Sequence, residues 1–516
     1  MVKRKKKIGN KEDSTMKKNI LSLAALLIAS AAVFTACSSD DNVTGEQPAN
    51  PTEPKTYTMT IEATKSTGDA AATRGLSLDG KTLNVKWNEG EVVEVVQGSA
   101  TLGTLTATPD SSDPTKATLS GTLTSSPADD QPILFALHGA QTDYTGQKGI
   151  LLKTDGDNSI EENYDYAACQ VEKDKFTIDT DAKTVSVPDG ITLISAQAIV
   201  KFSLYKSDGI TPINATSLAI SSSPSVFATV YKISTNYVEN SITCGNIELT
   251  GLSGTTNDIY VALCTISANA EITLTATDAS GNTYTYTKSG VTFAIGQYYE
   301  VKVKMHEYVD LGLSVKWATM NVGAESVTDR GLYFAWGETT GHAFGSGYQF
   351  SEGNYAWYND GVTGKYTKYK HDGSSWDYEE LASEDDAAAK IWGGEWRMPT
   401  KAEWEELLNE DNCTWTWTTD YKGDGSNVAG VIVTSKKVGY TDKSIFLPAT
   451  GKYSGNNNTG SEIWATYWSK SLDTNSYNSY GFAWRLDIMY NDGSLVRRQV
   501  QNDNRYYGIG VRAVRE

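Results

Sequence analysis

Aromatic side chains are the residues of this sequence with the clearest potential for binding chemistry. The chain holds 13 Trp and 29 Tyr but only four His and five Cys in 516 residues. Flat aromatic rings can stack on the faces of pyranose sugars. Tryptophans in the repeated W-G and W-R dipeptides are expected in the core. The aromatic residues outside them are the candidates for ligand contact: Trp357, Tyr358, Trp376, Trp464 and Tyr467.

Residues for catalysis or metal binding lack a recognisable spacing. His306, His342 and His371 are scattered along the chain. No carboxylate pair is marked as general acid and base, a role for which apolar burial must tune one member. We therefore predict a protein that is not an enzyme and uses no cofactor. Asp420 and Asp424 are weak candidates for calcium, and no other metal site is predicted.

Two short helices are predicted in the C-terminal part of the chain. Residues 383–386 open an Ala-rich helix over 387–392. Thr400 and Glu403 have the spacing of a capping box, and Trp404 begins the apolar face of the helix that follows. Arg397 is expected to form a structural ion pair. These residues are therefore predicted to support the fold.

The preceding region is predicted to consist of β-strands. Residues 57–64 alternate between apolar and polar side chains, as half-buried strands do. The apolar residues of 272–276 face a run containing Tyr284 and Tyr286 across a Gly-containing hairpin loop at 278–282. A break near 188–196 divides the region into β-sandwiches over 57–195 and 196–305. A Cys244–Cys264 disulfide stays open from the sequence.

Residues 57–305 resemble a known family. The segments ATRGLSLDGKTLNVKWNEGEVVEV, IYVALCTI, LTATDASGNTYTYTK and FAIGQYYEVKVKM resemble the fimbrillin (Mfa-like) family of Bacteroidetes. The resemblance implies two tandem transthyretin-like β-sandwiches in a lipoprotein that forms or decorates fimbriae. It also implies an Arg-specific cut after Arg74, leaving Gly75 as the new N-terminus and a groove for a neighbour's strand. The alternative is that Arg74 is an ordinary solvated loop residue.

Residues 306–516 resemble a different family. The segments YVDLGLSVKWATMNVGA, YFAWGE, WGGEWRMPTKAEWEELL, SIFLPATG, YWSKSL and YGIGVRAVRE are similar to the Fibrobacter succinogenes major paralogous (FISUMP) domain. RMPTKAEWEEL and GVRAVR more distantly resemble the formylglycine-generating enzyme fold, an α+β fold like that of C-type lectins. That enzyme's copper site needs a cysteine pair, and this domain has Cys413 alone. Its activity is therefore not expected here.

The N-terminus has the pattern of an export signal. Residues 1–20 are rich in Lys and Arg, and 21–36 carry no charge. Cys37 follows Phe-Thr-Ala and resembles the lipidated cysteine of a bacterial lipobox. The predicted organisation is a signal peptide over 1–36, which starts at Met1 or Met16, and a lipidated, polar tether over 37–56. The alternative is a plain signal peptide.

Charge narrows the class of partner. The formal charge is −18, and removing residues 1–36, with eight basic and two acidic side chains, makes it −24. Clustered cations for nucleic acid are lacking. We expect a surface lipoprotein of the outer membrane in adhesion or recognition, with fimbrial subunits, glycans or surface proteins as partners. Because a long domain follows the sandwiches, a fimbrial tip or accessory role fits best; a glycan-handling enzyme and a purely structural protein stay open.

Overall fold

The fold is mainly β, as the sequence predicts. The computed structural model describes residues 56–66, 74–79, 82–232, 241–266, 269–359, 366–371, 375–421, 427–474 and 481–516. Cys37 and Asp424 lie outside these residues, so the lipid anchor and half of the calcium site stay predictions. Among the described residues, no helix is long and apolar enough to cross a membrane.

The first β region covers residues 57–195 and is built around its first strand. Its strands are β1 Tyr57–Ser66, β2 Arg74–Asp79, β3 Thr82–Val85, β4 Val92–Gln97, β5 Ala100–Pro109, β6 Lys116–Leu123, β7 Ile133–Leu137, β8 Gln141–Asp143, β9 Ala167–Val171, β10 Thr177–Asp179, β11 Thr184–Ser186 and β12 Ile191–Ser195. The main sheet has the order β10-β11-β1-β12-β9-β7-β4-β5-β6.

Strand β1 has partners on both edges. It is antiparallel to β6 from Tyr57 to Thr64, and it is parallel to β11 and then β12. The second pairing of β6 closes the sheet on itself, which leaves β1 without a free edge. Alternate β1 side chains, including Met59 and Ile61, are buried in the core of this region.

The second β region has a separate sheet. Its strands are β13 Ala198–Lys206, β14 Ala215–Ser223, β15 Phe227–Lys232, β16 Ser241–Cys244, β17 Ile247–Thr250, β18 Asp258–Thr265, β19 Ala270–Asp278, β20 Thr283–Val291 and β21 Tyr298–Val309. They have the order β16-β15-β18-β13-β21-β20-β19-β14-β17.

A segment predicted to belong to the first sandwich packs on the second. Strand β8 pairs with β15, and helix α1 (Ile160–Asn163) places Ile160 in the second core. Tyr144 and Tyr166 join the same core, with ring centres 5.3 Å apart. The two β regions are therefore interlocked by residues 141–166, which a boundary drawn from sequence order does not show.

The C-terminal region combines three sheets with short helices. The helices are α2 Ala387–Trp392 and α3 Lys401–Leu408, and the strands are β22 Lys316–Asn321, β23 Tyr333–Phe334, β24 Cys413–Thr418, β25 Gly430–Ser435, β26 Ser444–Pro448, β27 Lys452–Ser454, β28 Asn457–Thr459, β29 Trp464–Leu472, β30 Phe482–Asn491, β31 Ser494–Asn504, β32 Ile509–Gly510 and β33 Arg512–Arg515. The sheet orders are β23-β32-β29-β30-β31, β24-β25-β26 and β27-β28.

The second β region continues into the C-terminal region through a shared strand. The predicted boundary between 305 and 306 falls within β21, which pairs with β13 in its first half and with β22 at its end. The His306 ring stacks on Trp392 with ring centres 4.1 Å apart. Burial lowers the pKa of His306 to about 4, so the stacked ring is neutral at neutral pH. A continuous strand and a buried stack therefore join the two regions.

Candidate functional site

A cleft in the C-terminal region brings one predicted aromatic residue together with polar groups. Trp357 lies after a 3-10 turn at Glu352–Asn354 and lines a cleft of about 470 Å³. The polar and aromatic residues that line the cleft with it are Glu338, Thr339, Thr340, His342, Tyr348, Asn354 and Asp385. Concave sites with aromatic walls and a few convergent polar groups are typical of ligand binding.

The position of Trp357 is set by direct contact with backbone. A Cβ at Gly337 would lie 2.2 Å from Cζ3 of the Trp357 ring, so only glycine permits this packing. Gly337 also has a φ of +79°, which favours glycine. The Tyr369 ring lies 5.3 Å from the Trp357 ring on the core side. Trp357 is consequently half-buried and held in one place beside the cleft.

Glu338 is the carboxylate that follows this glycine. It is half-buried, and its Oε1 accepts a hydrogen bond of 2.8 Å from the backbone N–H of Ala356. Removal from water raises the pKa of Glu338, and the Ala356 bond only partly offsets this. Among the described residues, Glu338 has no ion-pair partner within 4.0 Å.

Two stacked rings form another wall. The imidazole of His342 lies over the Tyr348 ring, with centres 3.5 Å apart and an angle of 10° between the planes. Burial lowers the pKa of His342, which keeps the imidazole neutral at neutral pH. Burial raises the pKa of Tyr348, and the charge of Glu338 adds to this. The wall is therefore uncharged but carries hydrogen-bonding groups.

Asp385 is neutralised by a neighbouring cation. Lys368 forms an ion pair with Asp385, and this hydrogen bond raises the pKa of the lysine. The Tyr369 hydroxyl donates to the same carboxylate at 2.6 Å. Lys368 also lies 5.6 Å from the Trp357 ring centre. Glu338 is thus left as the uncompensated charge among the residues lining the cleft.

The other predicted ligand-contact residues lie elsewhere. Tyr358 forms a backbone bridge with Tyr366 beside the cleft, and the Trp376 ring lies 5.4 Å from His371. Both are half-buried, and neither lines the cleft with Trp357.

Trp464 and Tyr467 belong to strand β29. The Trp464 indole N–H donates to Asp487, and the Arg485 guanidinium lies 5.1 Å from its ring centre. Tyr467 is fully buried, and its hydroxyl donates to the Pro448 carbonyl at 2.6 Å. The prediction that Tyr467 contacts a ligand therefore needs correction, because its ring has no exposed face.

A second cleft contains a tryptophan that the sequence did not single out. Trp484 is half-buried and lines a cleft of about 460 Å³ with Glu380, Lys401 and Glu405. The Lys401 ammonium lies 4.1 Å from the Trp484 ring centre and also pairs with Glu405 at 3.4 Å. The chain's own lysine thus already occupies the ring.

The predicted helix-cap residues have structural roles. Thr400 Oγ1 accepts from the Glu403 N–H at 3.1 Å, while Glu403 accepts from the Thr400 N–H at 2.8 Å. Arg397 donates two hydrogen bonds to Glu403, at 2.8 and 2.6 Å. Burial would raise the pKa of Glu403, but these bonds outweigh it and lower the pKa. Trp404 is fully buried and donates to the Trp468 carbonyl.

The remaining candidates do not form a site with the cleft. Arg74 and Gly75 begin β2, which pairs with β3. Asp420 accepts from the Asn427 N–H at 3.1 Å, within its own loop. No group of three or more His, Cys, Asp or Glu side chains that could hold a metal ion occurs in the described part of the chain.

The open disulfide question has a geometric answer. Cys244 and Cys264 are both free thiols. They flank Ala228 on opposite sides in the strand order β16-β15-β18. Two strand spacings amount to about 9–10 Å, which exceeds the Cα separation of about 7 Å that a disulfide tolerates.

Glu338 is a residue of the cleft that the sequence analysis did not single out. Its signal was the position directly after a W-G dipeptide, a motif interpreted as structural. Glycine allows Trp357 to approach the backbone there, and the next residue then faces the same cleft. Their proximity depends on the loop path, which the sequence does not display.

Comparisons with known proteins give distant similarity only. No protein-family model and no curated protein matches the chain. A solved structure described as a candidate cell adhesion protein from Bacteroides uniformis is 14% identical, covers 48% of this chain and 93% of its own, and has a TM-score of 0.25. A similar protein from Bacteroides ovatus is 10% identical, with coverages of 48% and 94% and a TM-score of 0.26.

A fimbrilin from Porphyromonas gingivalis is also similar. It is 9% identical, covers 44% of this chain and 72% of its own, and has a TM-score of 0.19. Because all three TM-scores are below 0.5, these similarities carry no argument about the function of this chain.

Proposed function

We propose that this chain is a cell-surface adhesion or recognition protein that binds a saccharide in the Trp357 cleft. The observation that carries the proposal is the juxtaposition of aromatic rings with Glu338 and Asn354 in one cleft. A sugar presents apolar C–H faces and many hydroxyl donors. The aromatic rings can pack against the C–H faces, and the carboxylate and amide oxygens can accept hydrogen bonds from the hydroxyl groups.

The arrangement of the chain supports a display role. Two interlocked β regions precede the C-terminal region. Strand β21 continues from the second β region into the C-terminal region. The cleft therefore stands at a fixed position relative to the second β region. In the proposal, Cys37 anchors this assembly in the outer membrane through lipid, and residues 38–56 act as the tether. Mass spectrometry of membrane-extracted protein tests the anchor, and an unmodified Cys37 would contradict it.

A glycan array tests the binding function. The chain lacking residues 1–37 should bind a defined group of saccharides, and Trp357→Ala should abolish this binding while circular dichroism stays unchanged. Trp376→Ala is the matched control, because Trp376 is a half-buried tryptophan of the same region outside the cleft lining. If Trp357→Ala unfolds the chain, Asn354→Ala replaces it, since Asn354 is exposed. Binding that survives both cleft substitutions would refute the assignment.

Incorporation into a fimbria, as a tip or accessory subunit, extends the proposal. A cut after Arg74 would remove β1 and open the edges of β6, β11 and β12, which would then accept another strand. Sequencing the N-terminus of surface-extracted protein tests this step. Gly75 at the N-terminus would support it, whereas lipidated full-length chain as the sole species would oppose it.

A glycan-processing enzyme is the alternative function. The observation that favours it is the raised pKa of Glu338 in a cleft that also holds Asp385, since general acids are tuned in this way. The Lys368 pair engages Asp385 and opposes this interpretation. Release of reducing ends from a bound saccharide, lost in Glu338→Gln, would establish the enzyme in place of the binding protein.

A further inference from the structure

The charge balance of the Trp357 cleft points to a class of saccharide. Glu338 is a half-buried carboxylate with no ion-pair partner among the described residues. The carboxylate of Asp385, which also lines the cleft, is paired with Lys368. The lining residues in the described part of the chain include no lysine or arginine. Among the residues that the structure describes, Glu338 is therefore the one carboxylate of the cleft without a counter-charge.

The described groups around Glu338 add no net positive charge. His342 is neutral because burial lowers its pKa, and Tyr348 is neutral because burial raises its pKa. Asp385 and Lys368 cancel one another. A carboxylate that has lost part of its hydration gains most from a ligand that supplies a cation.

On these grounds we propose that the cleft selects saccharides bearing a protonated amine over neutral ones, and excludes acidic ones. The inference rests on the proposed saccharide-binding function and specifies its ligand. An amine placed at Glu338 would make a charge-assisted hydrogen bond, which is stronger than the bond from a hydroxyl. A carboxylated or sulfated sugar would meet like charge at the same position.

Calorimetric titration of the chain lacking residues 1–37 tests this selection. The probes are a β-1,4-linked glucosamine trimer, the N-acetylated trimer, and a glucuronate-containing oligosaccharide. The pH is chosen so that the amine is protonated and Glu338 ionised. The amine-bearing trimer should bind about tenfold more tightly than the acetylated one, equivalent to about 1.4 kcal/mol, and the acidic saccharide should not bind. Glu338→Gln should bring the two trimers to equal affinity, whereas the exposed Glu325→Gln should keep the preference.

Other outcomes distinguish failure of the amine preference from failure of saccharide binding itself. Tighter binding of the acetylated or acidic saccharide would overturn the inference and leave saccharide binding intact. An amine preference that persists in Glu338→Gln would also overturn it, because the selecting charge would lie elsewhere. Binding of a lysine-rich peptide without any saccharide would overturn the sugar assignment. If no saccharide on the array binds, the proposed function fails, and the inference fails with it.

Discussion

The two β regions and the C-terminal region differ in how their buried backbone N–H and C=O groups are hydrogen-bonded. The β regions have largely aliphatic cores, with Val93, Leu105 and Leu263 fully buried, and their backbone groups pair in strand ladders. The C-terminal region buries Trp336 and Trp468 among longer loops. Loops offer few ladder partners, so buried carbonyls there need donors from side chains.

The tryptophans supply several of these donors. Trp336 Nε1 donates to the Ser469 carbonyl at 2.8 Å, and Trp468 Nε1 donates to the Phe334 carbonyl at 2.9 Å. Arg512 acts similarly, donating to the carbonyls of Ala318 and Phe446. Part of the tryptophan content of this region therefore serves to hold its loops together, whereas the buried N–H groups of Trp317, Trp396 and Trp417 have no hydrogen-bond partner among the described residues. In the proposed function, ligand binding is assigned to a tryptophan that borders a cleft, Trp357.

The largest expected loss of stability follows from the substitution Arg512→Met. The guanidinium is fully buried, donates three hydrogen bonds including one to Asn321, and has its pKa lowered by burial to about 10. Removing it leaves three acceptors without this donor, so the C-terminal region should lose about 4 kcal/mol of unfolding free energy. Denaturant titration measures the loss. Arg498→Met, in a surface pair with Glu410, should cost less than about 1 kcal/mol; equal losses would contradict the comparison.

The first β region contains a buried ion pair whose loss should also cost stability. Lys65 Nζ is fully buried, 2.6 Å from Glu91 and 4.4 Å from the Trp87 ring centre. Lys65→Met leaves the Glu91 charge partly buried and unpaired, which should cost about 3 kcal/mol. Lys116→Met is the control, because Lys116 pairs with Asp113 at the exposed surface. A loss of unfolding free energy no larger than that of Lys116→Met would show that the Lys65–Glu91 pair does not stabilise the first β region.

Trp468→Phe tests the donor role directly. The substitution keeps an aromatic ring but removes the N–H, so stability should fall by about 2 kcal/mol. In the aliphatic core, Leu263→Met keeps volume and removes no donor, and it should cost less than about 1.5 kcal/mol. Thermal unfolding compares the two variants. A smaller loss for Trp468→Phe than for Leu263→Met would remove the distinction between the regions.

Sequence pattern predicts the β regions better than the C-terminal region. Alternation of apolar and polar residues is sufficient to predict which face of β1 and of β13 is buried, because one face of each strand is buried more than the other. In β29 both faces are buried, so alternation does not reveal that Tyr467 points inward. The interlocking segment 141–166 is also hidden, because its pairing with β15 joins residues distant in sequence.

The site is predictable only in part. Trp357 follows from its type and from its place outside the repeated dipeptides. Asp385 ends a 3-10 turn at Ser383–Asp385, and Glu338 lies in a loop whose path depends on buried side-chain donors, such as the Tyr355 hydroxyl bonded to the Trp336 carbonyl. Such contacts join residues without a sequence period. The cleft therefore requires the three-dimensional structure.

The smallest expected effect concerns pH. Burial raises the pKa of Glu338, so the carboxyl becomes neutral at a higher pH than an exposed glutamate does. As the pH falls through this raised pKa, the preference for amine-bearing saccharide should decline, and protonation of His342 at acidic pH should add repulsion. Titration at several pH values follows the ratio of affinities. A ratio that stays constant while Glu338 becomes protonated would contradict its role.

The most direct measurement is a crystal structure of the chain with the saccharide that binds most strongly on the array. A sugar ring should lie in contact with Trp357, with a donor within hydrogen-bonding distance of Glu338. A saccharide bound instead in the Trp484 cleft beside Lys401 would contradict this expectation.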